Sequence, residues 1–175
     1  MMPIEQTAEY CLIKNIYGNQ VAKRSQIPLM HHINEGLQIL AWENADLLTM
    51  QAYCLHPVFQ AATELATYFS TIAYGNLQAQ ALVLVMEYRN IANQYLSVRQ
   101  ISHISEIALS PLPQVNQMLV ADKIQNRKDF ELYHQASHAR SHQLSIYFAN
   151  WLQRLGVSEQ KYQSYIALLK PNNLK

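Results

Sequence analysis

Apolar residues recur at three- and four-residue spacings along almost the whole chain, and only four glycines and six prolines interrupt them. That period puts one apolar stripe on each successive helix, whereas a half-buried strand would need alternation every second residue. No window shows sustained alternation with turn chemistry at both ends. The spacing therefore predicts an all-α fold. Neither a repeat nor a low-complexity tract nor a linker divides residues 1–175, so they read as a single helical domain.

The breaks place the elements. Residues 5–23 carry Tyr10, Ile13, Ile16, Tyr17 and Val21 on one face, and Pro28 then interrupts. Residues 30–41 resume with Ile33, Leu37 and Leu40. Residues 43–55 follow with Leu47, Leu48, Ala52 and Leu55, and are expected to stop near Pro57, because proline cannot continue the backbone ladder. Residues 61–74 form a further segment ended by Tyr74-Gly75. The stretch 77–96 is the most apolar and is expected to lie centrally. Ser110-Pro111 and Pro113 open a long helix whose buried side is marked by Val115, Met118, Leu119, Ala121, Ile124 and Phe130. Two amphipathic helices, 141–155 and 158–169, are separated by Gly156.

Half of the residues are hydrophobic and 14% are charged, the balance of a compact chain. The formal charge is +1 with no basic block, so electrostatics gives no reason to expect nucleic-acid or membrane-surface binding. The most apolar run, residues 79–86, is too short to span a bilayer. Cys11 and Cys54 form no CxxC pair, and the first residues show no basic-then-apolar signal pattern. The expectation is a reduced, cytoplasmic protein with both thiols packed as small hydrophobes.

Three stretches carry candidate chemistry. In "RSQIPLMHHINEGLQIL", His31 and His32 point roughly 100° apart on a helix, so at most one readily faces a given site. His32 is either aimed into a cleft behind the Pro28 break or makes a backbone contact in the first turn. In "CLHPVFQ", His56 ends a very apolar segment, and a buried imidazole needs partners for both nitrogens. A metal with a second acceptor would supply them, and so would a carbonyl and a water. In "MLVADKIQN", Asp122 sits among apolar neighbours, where an unpaired charge is costly. Lys123, Arg127 and Lys128 offer salt bridges; alternatively Asp122 and Asn126, four apart, reach one site together. Two imidazoles and one carboxylate on three helices make a donor set suited to manganese, iron or zinc.

The motifs around these residues resemble the HD superfamily of metal-dependent phosphohydrolases, most closely the branch of the RelA/SpoT-type alarmone hydrolases. "SQIPLMHHINEGLQIL" is similar to the element that supplies the first histidine ligand, at His32. "AYCLHPVFQA" occupies the place of the second histidine and its aspartate, with His56 matched and Pro57 where the aspartate stands. "MLVADKIQNRKDF" is similar to the late aspartate element through Asp122 and Asn126. The resemblance covers roughly residues 8–135, leaving the C-terminal helices at 141–170 outside it.

It implies a divalent metal (manganese, iron or zinc) on His32, His56 and Asp122, and a small phosphorylated, nucleotide-like substrate. Gln60 and Ala61 stand where the alarmone hydrolases carry a Glu-Asp pair, so Glu35 or Gln60 is expected to position water, and Asn126 to hold substrate. Lys23, Arg24, Arg89 and Arg127 are the candidate phosphate cations. The alternative is a non-catalytic HD-like module that binds a nucleotide or a partner. His134, His138 and His142 would form a metal ladder only if one helix ran through them; an exposed loop is the expected state. Tyr147, Trp151, Leu155, Tyr162 and Tyr165 suggest either a homo-oligomer interface or plain core.

Overall fold

In the computed structural model, which describes residues 2–23 and 25–169, the chain forms eight α-helices joined by turns and three short 3-10 segments. They are α1 (Ala8–Tyr17), α2 (Leu29–Trp42), α3 (Leu47–Gln60), α4 (Ala62–Tyr68), α5 (Ala79–Gln94), α6 (Pro113–Tyr133), α7 (Ser141–Arg154) and α8 (Glu159–Leu169). The all-α class is as the spacing predicts. No described helix is long and apolar enough to cross a membrane.

Local chemistry sets most of the boundaries. Thr7 caps α1 by accepting from the Tyr10 amide, and Asp46 caps α3 by accepting from the Thr49 amide at 2.7 Å. Pro113 opens α6 at its first turn, where a missing N–H costs nothing. The segment predicted over 5–23 is shorter than expected. It stops at Gly18, whose positive φ of 49° turns the chain out of the helix. The following loop folds back so that Val21 bridges Pro28, which delivers His31 and His32 into the first turn of α2.

The clearest departure is α3. It runs through Pro57 to Gln60, although proline inside a helix costs about 3 kcal/mol or more. Val58 and Phe59 explain the continuation: both lie beyond the proline and are almost fully buried. Burying each is worth roughly 1.5–3 kcal/mol, so together they outweigh the proline.

The core surrounds α3, which packs on α1, α2, α5 and α6. Ile33, Ile39, Leu40, Ala52, Leu55, Val85, Tyr88, Met118 and Ile124 are buried at its centre. Tyr147, Trp151, Tyr162 and Tyr165 are buried in the chain's own core, with Leu155 packed against it. α6 ends at Tyr133 and α7 begins at Ser141, so His134, His138 and His142 do not share one helix.

Candidate metal centre

Three helices bring one side chain each to a common point. α2 supplies His32, α3 supplies His56 and α6 supplies Asp122. His32 Nε2 lies 3.0 Å from His56 Nε2, and Asp122 Oδ1 lies 3.6 and 3.5 Å from the two nitrogens. An ion with bonds of about 2.0–2.2 Å to nitrogen and oxygen has neighbouring ligand atoms roughly 3.0–3.5 Å apart, which these edges match. The group could therefore hold a metal ion.

The hydrogen bonds behind the ligands sharpen this. His56 Nδ1 donates to the Tyr53 carbonyl at 2.6 Å, and His32 Nδ1 faces Gln125 Oε1 at 2.5 Å. Both partners are acceptors, so each ring carries its proton on Nδ1 and presents a bare Nε2 lone pair to the other. Two lone pairs 3.0 Å apart repel unless something positive lies between them. A proton would join the nitrogens but leave Asp122 Oδ1 beyond normal hydrogen-bond length. A metal cation reaches all three. Burial and the neighbouring His56 push the His32 pKa down, which works against the protonated ring.

Pro57 has a place in this arrangement. The amide of residue 57 would normally donate to the carbonyl of residue 53, and proline has no amide hydrogen. The Tyr53 carbonyl is left without its helical donor, and it accepts from His56 Nδ1 instead. The residue that stands where the resemblance would have an aspartate thus offers no donor atom, but helps to orient the His56 ring.

Asp122 is 2% exposed and is held from both sides. Oδ1 accepts from Asn126 Nδ2 at 2.7 Å and Oδ2 accepts from Lys123 Nζ at 2.7 Å. Burial pushes its carboxyl pKa up, but the Lys123 ammonium, with the neighbouring His56 and His32 rings, overcomes this and holds it well below the usual range. Lys123 is itself buried, with its ammonium 5.7 and 5.4 Å from the Tyr147 and Trp151 rings. The carboxylate is thereby kept ionised at the centre. Access comes from the α2 side, where 22% of the His32 side chain is exposed against 3% for His56 and Asp122.

The other residues named from the sequence lie in varied settings. Glu35 is buried, and its carboxylate accepts from Lys128 at 2.6 and 2.7 Å, from Gln125 at 3.1 Å and meets His31 at 3.0 Å. Its lone pairs are thus engaged by these three donors. Asn126 donates to Asp122 and so acts through that carboxylate. Gln60 closes α3 one turn after His56, half-buried, and its carbonyl accepts from Asn93.

Among the candidate cations, Arg127 forms ion pairs with Glu131 and Glu159 and stacks on Tyr162 at 3.9 Å. Arg89 donates to the Phe59 carbonyl at 2.6 Å. Lys23 is exposed in the loop before α2, with no ion-pair partner among the described residues. Arg24 lies outside the described residues.

Four contributors went unnoticed in the sequence. Gln125 and Asp129 share the Asp122 face of α6, at three and seven residues beyond it, a spacing that could have marked them. Tyr53 and Tyr88 pack their rings 4.5 and 5.2 Å from His56, and their buried hydroxyls have no hydrogen-bond partner among the described residues. Burial, and then the Asp122 charge, raise both phenol pKa values well above the ordinary value. Comparison of the chain with protein-family models, with curated proteins and with solved structures finds no match.

Proposed function

We propose that this protein is a metal-dependent phosphohydrolase of the HD type, acting on a nucleotide or related phosphate ester. A single divalent ion (manganese, iron or zinc) is held by His32, His56 and Asp122. The observation that carries the reading is the convergence of two bare Nε2 lone pairs and one ionised carboxylate oxygen within 3.6 Å of one another. Three protein ligands with open positions are the usual composition of a catalytic site, so Pro57 is no obstacle. The bound ion would supply Lewis acidity and bring the pKa of a water to about 7.

The chain's own residues orient and hold. Asn126 and Lys123 keep Asp122 ionised and facing the two rings, and Gln60 is the polar side chain one turn beyond His56. Substrate approaches over His32, the most exposed of the three residues.

A second reading, a metal-holding module without catalysis, is favoured by specific contacts. Glu35 is bound to Lys128, Arg127 to two glutamates and Arg89 to a carbonyl, which leaves few groups to handle substrate. The two readings separate on incubating the protein in manganese with nucleotides, alarmones and simple phosphate esters while following phosphate release. The hydrolase reading predicts turnover that His32→Ala abolishes. Metal binding without turnover on any of these would overturn it in favour of the module.

A further inference from the structure

The His32 ring is aimed by a side chain that is itself aimed by charge. The Gln125 amide offers one acceptor and two donors, and nothing in its covalent structure says which end faces the histidine. Its surroundings do. Gln125 Nε2 lies 3.1 Å from Glu35 Oε2 and 2.8 Å from Asp129 Oδ2, both oxygens that only accept when ionised. Turning the amide over would set its oxygen against two anions.

Lys128 keeps those anions in place, with Nζ 2.6 Å from Glu35 and 3.1 Å from Asp129. Gln125 is fully buried, so its amide has no solvent contact to exchange for these partners. Oε1 is therefore left facing His32 Nδ1, at 2.5 Å, and an acceptor there requires the proton on Nδ1.

We propose that Gln125 is a positioning residue for the metal centre: its oxygen fixes His32 as the Nδ1–H tautomer, and Glu35 and Asp129 fix that oxygen. This assigns Glu35 to the support of a ligand. Without the Gln125 oxygen, the His32 proton gains by moving to Nε2, where His56 Nε2 is 3.0 Å away and accepts it. The centre then closes on an internal hydrogen bond that an arriving cation must break. The purpose of the device rests on reading His32 as a ligand, but the tautomer belongs to the chain alone and is measurable without any metal.

The test is nitrogen NMR of the imidazoles in metal-free protein, in the pH range where they are neutral, paired with manganese and zinc titrations. Gln125→Met keeps the length and removes the acceptor. It is expected to move His32 to the Nε2–H form and to weaken metal binding 10- to 100-fold, the usual effect of losing a ligand's outer partner. Gln125→Glu keeps an acceptor: its second oxygen, set against Glu35 and Asp129, takes up a proton and donates in place of Nε2, so the Nδ1–H form is expected to be retained. The proposal is overturned if Gln125→Met leaves the tautomer and affinity unchanged. It is equally overturned if Gln125→Glu shifts the tautomer as Gln125→Met does, since packing and not the acceptor would then set the ring. A tautomer shift in a protein whose wild type takes up neither metal would sink the metal reading and the positioning role with it, leaving only the tautomer assignment.

Discussion

A methyl group on Gly36 has no room. A Cβ there would lie 1.9 Å from Tyr53 Oη and 2.2 Å from the ring carbon that bears it, and Tyr53 is fully buried. The glycine is required by close approach of the tyrosine and not by backbone conformation. Because the Tyr53 carbonyl orients His56, a shift of this residue reaches the centre. Gly36→Ala is expected to cost about 1–3 kcal/mol, as overpacking does, and to weaken metal binding with it. Urea unfolding beside a metal titration measures both, and wild-type values for both would contradict the contact.

At the same scale, Glu35 should leave a mark on the pH dependence of stability. Burial pushes its carboxyl up, but hydrogen bonds from His31, Lys128 and Gln125 outweigh it and hold the pKa below the usual 4.5. A carboxyl depressed in the folded state contributes stability that is complete above its unfolded pKa and is lost as pH falls through the folded one. Stability should therefore decline on acidification below about 4.5, and Glu35→Gln should flatten part of that decline. Chemical denaturation at a series of acidic pH values gives the comparison; parallel curves for wild type and variant would contradict it.

At the scale of the element, α3 and α6 carry the site in different ways. α3 pays a proline in its last turn and recovers it through Val58 and Phe59, and the unpaired Tyr53 carbonyl is then available to His56. Pro57→Ala restores an amide that competes for that oxygen. The variant is expected to fold with at least wild-type helicity and to bind metal roughly tenfold more weakly. Circular dichroism and a zinc titration check this, and unchanged affinity would mean that the carbonyl serves both donors. α6 presents Asp122, Gln125, Asn126 and Asp129 along one strip: ligand, outer support, ligand clamp and anchor.

For the whole molecule, the helices were legible in the sequence because they depend on local period, whereas the grouping of His32, His56 and Asp122 came from the resemblance of the motifs around them. Period fixed the faces, and His32, His56 and Asp122 stood out as polar residues set in or beside apolar runs. What was not legible depends on partners far away in the chain. Glu35 sits one turn from His32 and reads as a free acid until Lys128 arrives from α6, 93 positions on. Gln125 means nothing alone; its amide is oriented by one residue on α2 and one on its own helix. The passage of α3 through Pro57 was missed for the same reason, since burial supplied by the fold overrides a local cost.

The most direct test of the centre is the metal content of the chain purified without chelator, with His56→Ala and Asp122→Asn prepared alongside. The account predicts about one manganese, iron or zinc per chain in the wild type and loss of it in both variants, as expected of a three-ligand site. A folded wild-type protein that carries no metal, and takes none up on dialysis against these ions, would contradict it.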